Sequence, residues 1–600
     1  MSSYRATLIR WGGPFVIAIA AGAMLRWTWG TWPDVLVDFG RELYVAWRLA
    51  EGEVLYSDIA YFNGPLSPYI NAFWFYQFGT SLQTLVLCNL AIVAGLIIMM
   101  YKILVEISDH LAATTACLTF VTVFAFRQLD AIGNYNYVTP YSHEITHGLA
   151  LSVGAILCLS TYLHRGKLIF ISGAGFALGL VFLTKAEIFL AGALAMMVGL
   201  GLILWLERPL RHRTGALVGS LTGTAAIPPI VAFLLLSLAM PAEQALRGTL
   251  GSWLYVFNRE LSSLAFYRWG MGTLYPLESL RTILLWMAGY GVVFLPPAGL
   301  GLLLTKPGSY RVAVTVGVFV LVAALYGSNW RQINLFEATT PLPVFLMALG
   351  AVTTLAIHKN RENPFTRTRL ILRMTMVALS FGLLGKIILN AQLLHYGFAF
   401  TMLGTLLALV TLVGWVPDFI ARRGGYGQVF KATAFAVLLV AIPALLNVVN
   451  YRLSHKQYVV SKGPDSFIAD GRGILVNTAV SEIAKRLRPD QTLAVLPEGA
   501  MLNYLSRRGN PTPYVNFMPP ELIMFGEAHI LDSFRVRPPD YIALVHKNTA
   551  EYGFPFFGRD YGQQLFAWIV HNYRGIRLIG DFPLQSERFG ILLLQRNAPQ

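Results

Sequence analysis

Charged residues are scarce in this sequence. Asp, Glu, Lys and Arg make up 13% of the 600 residues, hydrophobic residues make up 55%, and the mean hydropathy is +0.56. A soluble chain of this length needs more polar surface than this composition supplies. The composition therefore excludes an ordinary soluble protein and indicates one whose solvent is largely the lipid bilayer.

Cysteine is almost absent, because the chain has only three, Cys88, Cys117 and Cys158, and all three lie in apolar runs. This small number excludes a disulfide framework and the paired spacing of a zinc site. The sequence also lacks a Gly-rich phosphate loop, a G-x-S-x-G motif and metal-ligand spacings. It therefore indicates no cofactor and leaves the need for a divalent metal open.

Acidic residues are outnumbered by basic ones, 31 to 46, which gives a net charge of +15. The basic residues are scattered over short connections rather than gathered in a patch, which argues against a nucleic-acid partner. They fall in every second connection, except that the turn with Glu106 and Asp109 has none. Under the positive-inside rule, an odd number of crossings then places the C-terminus outside a bacterial inner membrane, in the periplasm.

Apolar runs long enough to cross the bilayer recur along the first three quarters of the chain, and we count about thirteen crossings. They centre on residues 8–25, 82–105, 111–126, 148–163, 168–183, 188–206, 217–240, 282–304, 312–326, 341–357, 370–389, 398–420 and 434–449. After that the chain becomes polar, and strand-like and helix-like segments alternate. We therefore predict a polytopic α-helical membrane domain over residues 1–450 and a small extracytoplasmic α/β domain over residues 451–600.

A long loop joins the first two predicted crossings, from about Trp27 to Ser81. Within it, Asp38–Glu51 carries apolar residues at helical spacing with charged residues around the rest of the wheel, which is typical of a helix lying at the interface. Asn63-Gly64-Pro65 then turns the chain into a second, aromatic helix over Leu66–Phe78. The loop is therefore predicted to hold two helices on the outer side of the membrane.

This order of features resembles the first periplasmic loop of the GT-C glycosyltransferases. These multi-spanning enzymes use polyprenyl-phosphate sugars and include protein O-mannosyltransferases and lipid A aminoarabinose transferases. The shared features are an acid after the first crossing, an amphipathic helix, Gly52 with Tyr56 and Asp58, and Gly64-Pro65-Leu66 before an aromatic helix. The resemblance implies a GT-C-like fold, a polyprenyl-phosphate sugar donor, a lipid, glycan or protein acceptor, and a catalytic role for Asp38.

Asp38 also has a structural interpretation. As the residue before a predicted helix with Glu42 in its first turn, it suits a helix N-cap. The resemblance favours the catalytic base, with Asp34 and Glu42 as alternative candidates in the same loop. Asp58 either caps a turn or binds the acceptor.

A second polar cluster covers residues 134–144, just before the fourth predicted crossing and on the same outer side. Tyr141, His143 and Glu144 combine an aromatic ring with ionisable groups, which suits a sugar because rings stack on its apolar faces while polar groups pair with its hydroxyls. The alternative is an aromatic interfacial belt with polar capping residues. We expect a substrate-binding role.

Lys185 and Arg331 are cations on the outer side that suit the anchoring of a donor phosphate. Lys185 lies in Thr184-Lys185-Ala186-Glu187, which resembles a short Leu-Thr-Lys segment of GT-C enzymes. Its structural alternative is a snorkelling lysine paired with Glu187. In the C-terminal domain, Glu498 follows a strand at a place where α/β sheets often bind ligands, and the domain as a whole is expected to bind the acceptor or to stabilise the protein.

The predicted activity is therefore transfer of a sugar with inversion, in which Asp38 takes the proton from the acceptor hydroxyl. The alternative is a transporter or flippase of lipid-linked sugars. Such proteins commonly show internal repeats and charged residues at mid-span, and neither is evident here. A third possibility is a non-catalytic scaffold whose C-terminal domain recruits partners.

Overall fold

The computed structural model describes residues 2–207, 211–360 and 362–598, so the predicted domain limits at residues 1 and 600 lie outside the described part. Helices make up most of the first 454 residues. They are α1 Ser2–Thr28, α2 Phe39–Ala50, α3 Leu66–Phe78, α4 Leu82–Ile107, α5 His110–Thr119, α6 His143–Arg165, α7 Leu168–Phe182, α8 Ala186–Glu207, α9 Arg211–Ser237, α10 Ala242–Leu250, α11 Arg259–Ser263, α12 Ala265–Met271, α13 Pro276–Leu303, α14 Tyr310–Asn329, α15 Leu342–Lys359, α16 Pro364–Leu384, α17 Gly397–Phe400, α18 Met402–Val410, α19 Val416–Arg422 and α20 Gln428–Ser454.

Every predicted apolar run overlaps one or more of these helices. Among the described residues, ten helical stretches are long and apolar enough to cross a membrane, and His110–Ala125 and Leu168–Phe182 are shorter apolar helices. The prediction of a polytopic α-helical membrane protein is confirmed. The count of about thirteen crossings stays a prediction, because it depends on the short helices and on α1.

The apolar segments around Lys185 form two helices rather than one. Helix α7 ends at Phe182, and the next carbonyl groups accept hydrogen bonds from the first loop: Gly64 N–H donates to Thr184 O (2.9 Å) and Leu66 N–H donates to Leu183 O (3.1 Å). A Cβ at Gly64 would lie 2.2 Å from Leu183 O, so only glycine allows this approach. The break in the helix is therefore satisfied by backbone from the first loop.

The C-terminal region is an α/β domain, as predicted. Strands β1 Tyr458–Val460 and β2 Phe467–Ala469 form an antiparallel pair. A four-stranded sheet has the order β3-β4-β6-β5, with β3 Leu493–Leu496, β4 Tyr541–Val545, β5 Tyr573–Gly580 and β6 Gly590–Arg596. Only β3 and β4 run parallel, and the other pairs are antiparallel. The helices are α21 Arg472–Arg486, α22 Ala500–Ser506, α23 Pro519–Phe525, α24 Glu527–Val536 and α25 Gln563–Asn572.

This domain packs directly on the first loop. A Cβ at Gly40 in α2 would lie 2.4 Å from the backbone nitrogen of Met501 in α22, so the two helices touch at their backbones. Ala60 N–H donates to Pro513 O at 2.9 Å. The first loop is therefore enclosed between the membrane helices and the α/β domain.

The opposite end of the helix stack carries the basic connections. There the turn with Glu106 and Asp109, which has no basic residue of its own, is covered by Arg369. The Arg369 guanidinium donates to Glu106 O at 2.7 Å and to Ser108 O at 3.0 Å, and His164 pairs with the Glu106 carboxylate at 2.6 Å. The turn that lacks a basic residue is thus covered by a positive charge, that of Arg369, from a neighbouring connection.

Candidate active site

A cavity of about 490 Å³ lies between the C-terminal domain and the ends of the membrane helices that face it. The membrane domain contributes Asp38, Arg41, Lys185 and Lys386 to its lining, and the C-terminal domain contributes Glu498, Glu521, Lys547, Glu551 and Tyr552. Polar and ionisable groups from distant parts of the sequence therefore converge on one cavity, the pattern expected of a functional site.

Asp38 lies immediately before α2 with a φ of 56° and a ψ of −73°. Residues other than glycine rarely adopt this backbone conformation, which costs on the order of 1–3 kcal/mol and persists only where surrounding contacts impose it. Asp38 occupies the N-cap position, but its carboxylate makes no capping hydrogen bond to α2. Asp38 lines the cavity.

The segment before Asp38 is held rigidly by side chains. Asn134 accepts a hydrogen bond from Asp34 N–H (3.1 Å) and donates to Val37 O (2.7 Å). The buried Asp34 carboxylate pairs with Arg472 at 2.7 Å and accepts the N–H groups of Leu36 and Val37 at 3.1 Å. Although burial opposes ionisation, Arg472 and these N–H groups lower the pKa of Asp34. These partners belong to the loop itself and to the C-terminal domain, and Asp34 does not line the cavity. We therefore assign Asp34 to holding the loop in place.

The other side of Asp38 contacts the C-terminal domain. Asp38 N–H donates to Glu498 Oε1 at 3.3 Å, and Glu498 Oε2 lies 3.0 Å from Lys547 Nζ. Burial and the nearby charge of Glu498 raise the pKa of Asp38 to about 8, although Arg41 and Lys547 act in the opposite direction. A carboxylate whose pKa lies near neutral pH is suited to accept a proton from a hydroxyl group.

Two cations of the membrane domain, Arg41 and Lys185, line the same cavity as Asp38, and Arg41 is the more strongly paired of the two. Arg41 donates to Glu42 Oε1 at 3.1 Å and to Tyr141 O at 2.9 Å. Lys185 Nζ lies 5.2 Å from the centre of the Tyr141 ring and makes no ion pair or hydrogen bond within the described part of the chain. Among the described residues, Lys185 is thus a buried cation in no ion pair at the cavity, which is the arrangement an anionic ligand completes.

Glu187 pairs with Lys386 rather than with Lys185. Lys386 Nζ lies 2.8 Å from Glu187 Oε1 and 4.7 Å from the centre of the Tyr396 ring. All three residues line the cavity. The proposed snorkelling pair of Lys185 with Glu187 is therefore not what the structure contains.

His143 and Glu144 lie behind the cavity wall and do not line it. His143 Nδ1 lies 2.7 Å from Glu42 Oε2, and its Nε2 lies 2.9 Å from the Asn89 amide nitrogen. Glu144 accepts a hydrogen bond from the Tyr61 hydroxyl at 2.5 Å. Although burial opposes ionisation, His143 and Arg41 lower the pKa of Glu42. This network holds α2 against the membrane helices. Glu42 therefore supports the site from outside the cavity lining.

Asp58 and Arg331 are not brought to the cavity. Asp58 is exposed, and its carboxylate accepts Val54 N–H at 2.8 Å within a turn. Arg331 is also exposed, with its guanidinium 5.5 Å from the centre of the Trp330 ring. Of the predicted site residues, the structure therefore collects Asp38, Tyr141 and Lys185 at one cavity and leaves Asp58, His143, Glu144 and Arg331 outside its lining.

The C-terminal wall of the cavity is acidic. Burial raises the pKa of Glu521 to about 7 and also raises the pKa of Glu551. Within the described part of the chain, the buried Glu521 Oε2 and Asn516 Oδ1 atoms make no hydrogen bond. Across residues 2–207, 211–360 and 362–598, no group of three or more His, Cys, Asp or Glu side chains is arranged to hold a metal ion.

Sequence reasoning missed Lys386 and Lys547. Lys386 lies within the predicted crossing over residues 370–389. A lysine in an apolar run often has a function, so this position was a signal that could have been used. Lys547 comes two residues after β4, just as Glu498 comes two residues after β3. Because β3 and β4 are parallel neighbours, their carboxyl ends meet, and that pattern was available to find Lys547.

No protein-family model matches the sequence, and no curated protein matches it either. Among solved structures, the archaeal oligosaccharyltransferase AglB from Archaeoglobus fulgidus, in complex with an inhibitory peptide and a dolichol-phosphate, aligns with 97% of this chain and 74% of its own. The identity is 12% and the TM-score is 0.51. A structure of the Archaeoglobus fulgidus enzyme tethered with an acceptor peptide aligns with 98% of this chain and 74% of its own, at 12% identity and a TM-score of 0.50. ArnT from Cupriavidus metallidurans, bound to undecaprenyl phosphate, covers 97% of this chain and 98% of its own at 12% identity, with a TM-score of 0.45. At such identities, the first two matches show a shared fold.

Proposed function

We propose that this chain, which has the GT-C fold expected from its first loop, moves a sugar from a polyprenyl-phosphate carrier to an acceptor. The acceptor is a lipid, a glycan or a protein, and the reaction takes place on the periplasmic face of a bacterial inner membrane. The observation that carries the proposal is the cavity itself, where Asp38 and Lys185, which forms no ion pair with the described residues, line the same space.

The position of the cavity favours an enzyme over a transporter. It lies between helix ends and the α/β domain, whereas transporters commonly place the substrate near the middle of the bilayer. A polyprenyl phosphate has its charged group at the interface and its tail among the helices, which suits cations at the membrane side of such a cavity. The basic connections lie at the opposite end of the stack, which supports a periplasmic location for the cavity and for the domain after residue 450.

In the proposed reaction, the Asp38 carboxylate accepts the proton of the acceptor hydroxyl as that oxygen attacks the anomeric carbon of the sugar. A bond forms between the acceptor oxygen and the anomeric carbon, and the bond between that carbon and the phosphate oxygen breaks. Attack opposite the leaving phosphate inverts the configuration. The phosphate leaves with the bonding electrons, so it needs no proton.

Lys185 supports the leaving group in this proposal. Negative charge develops on the phosphate as its bond to the sugar breaks, and a cation already desolvated in the cavity stabilises that charge without reorganising water. Lys386 is less available because Glu187 neutralises it at 2.8 Å. Tyr141 holds Lys185 over its ring and lines the cavity beside it.

The test uses the purified chain in lipid nanodiscs with a panel of undecaprenyl-phosphate-linked hexoses and pentoses, together with an extract of envelope lipids, glycans and proteins as acceptor. Mass spectrometry of the lipid fraction measures release of undecaprenyl phosphate. Release that requires both acceptor and Asp38 supports the transferase. Intact donor under all conditions, with every member of the panel, contradicts it.

A further inference from the structure

The C-terminal domain reaches the backbone of the proposed base. Asp38 has its unusual positive φ at the point where its N–H group donates to Glu498 Oε1 at 3.3 Å. These two residues are separated by 460 positions in the sequence. A contact from outside the membrane domain is therefore one of the interactions that hold the Asp38 backbone in this conformation.

Glu498 is itself held in place by the turn after β3. Pro497 O accepts Phe517 N–H at 2.8 Å, and Gly499 O accepts Leu502 N–H at 2.8 Å. Gly499 has a φ of 153°, and a Cβ there would lie 2.7 Å from a Val495 methyl group. The turn therefore favours glycine at this position, and its backbone contacts fix where Glu498 leaves the strand.

Lys547 completes the arrangement from the neighbouring parallel strand. Its ammonium group lies 3.0 Å from Glu498 Oε2, so the two oxygens of one carboxylate have different partners, Asp38 N–H and Lys547. Both side chains line the cavity with Asp38.

We propose that Glu498 and Lys547 form a positioning pair, through which the C-terminal domain holds the Asp38 backbone and sets the charge environment of its carboxylate. The pair rests on the proposed function in that Asp38 is the base. It assigns the C-terminal domain a part in the active site itself, in place of the acceptor-binding or stabilising role expected from sequence.

The charges around Asp38 determine in which direction each substitution shifts the protonation of its carboxyl group. Arg41 faces Asp38 from α2, Asp34 from the preceding loop, and Glu498 and Lys547 from the C-terminal domain, while Tyr135 and Tyr396 approach from the membrane domain. The negative Glu498 favours the protonated Asp38 carboxyl, and the positive Lys547 favours the ionised form. Neutralising each partner in turn must therefore move the protonation of Asp38 in opposite directions.

The experiment measures that protonation without using catalysis. The chain in nanodiscs is treated with a hydrophobic carbodiimide, which reacts with protonated carboxyl groups, and modification of Asp38 is quantified by peptide mass spectrometry across pH 5–10. We expect the midpoint to fall by about one pH unit or more in Glu498→Gln and to rise by a similar amount in Lys547→Met. The control variants Glu587→Gln and Lys485→Met, both exposed residues of the same domain, should keep the wild-type midpoint.

A parallel assay of donor turnover connects the pair to activity. In Glu498→Gln we expect kcat to be roughly 10- to 100-fold lower with little change in KM for the donor, because a displaced catalytic group slows the chemical step. The acid limb of the kcat–pH profile should move with the carbodiimide midpoint in both variants. Thermal unfolding of each variant shows whether the fold is retained.

The outcomes separate the two proposals. Wild-type midpoints in both variants overturn the positioning pair, whether or not the chain is a transferase. Opposite midpoint shifts in a chain that consumes no donor support the pair as a charge environment for Asp38 and overturn the transferase function. Equal shifts in the same direction overturn the pair, because they indicate a general loosening of the site.

Discussion

Replacing Asp38 with Asn separates catalysis from structure at the proposed base. Asn is close to Asp in size and tolerates positive φ better than most residues. The backbone N–H that donates to Glu498 is unchanged, and no helix-cap hydrogen bond is lost because Asp38 makes none. The variant therefore removes the basic carboxylate and little else.

The expected magnitudes follow from this geometry. Loss of a positioned general base lowers turnover by roughly 10²–10⁴-fold. The folded protein should be no less stable, because burial and Glu498 raise the pKa of Asp38 and make its ionised form costly. For a carboxyl whose pKa is raised on folding, the stabilising contribution is complete below the unfolded-state pKa and is lost as pH rises through the folded-state value. The stability of Asp38→Asn relative to wild type should therefore increase from pH 4 to pH 8.

The assay combines donor turnover with thermal unfolding in the same detergent at several pH values. Asp34→Asn and Glu42→Gln are the matched controls from the same loop, and both should lose thermal stability because each breaks a buried ion pair. An active Asp38→Asn enzyme refutes the assignment of the base. A variant that is inactive and also unstable, with a deficit that grows with pH, refutes the account of the Asp38 environment.

Three further predictions test other parts of the site. Lys185→Ala should raise KM for the donor and lower kcat, and Lys185→Arg should recover part of both. The control Lys462→Ala, at an exposed lysine, should keep wild-type kinetics. Equal kinetics in all three variants would make Lys185 a packing residue. Arg472→Gln should lower the free energy of unfolding by about 1–3 kcal/mol, measured by thermal or denaturant unfolding, because the buried Asp34 carboxylate loses its charged partner. A reporter fused to the C-terminus should be active only in the periplasm, and a cytoplasmic signal would reverse the proposed orientation of the cavity.

The membrane architecture was predictable because the bilayer imposes a simple rule on sequence. A crossing helix must be long and apolar, so the runs found in the sequence coincide with helices in the structure. The alternation of strands and helices after α20 was equally visible, apart from the short strands β1 and β2 and the helices α23 and α24. Short elements with few apolar residues leave little periodic signal.

The site was predictable only in part. The order of features in the first loop pointed to Asp38, but nothing local encodes its positive φ or its contact with Glu498, which depends on how distant segments pack. His143 and Glu144 carry the ionisable groups expected of a binding site, yet they face α2 and the loop rather than the cavity. Composition identifies a polar cluster, whereas tertiary packing decides which of its members meets a ligand.

The central claim is tested most directly by following both halves of one donor molecule. An undecaprenyl-phosphate sugar labelled in the sugar is given to the purified chain in nanodiscs with acceptor, and mass spectrometry measures labelled acceptor and free undecaprenyl phosphate over time. We predict that the two products appear in equal amounts, with the anomeric configuration inverted, and that both appear roughly 10²–10⁴-fold more slowly with Asp38→Asn. Sugar that crosses or leaves the bilayer still joined to its lipid phosphate would contradict a glycosyltransferase and indicate a transporter.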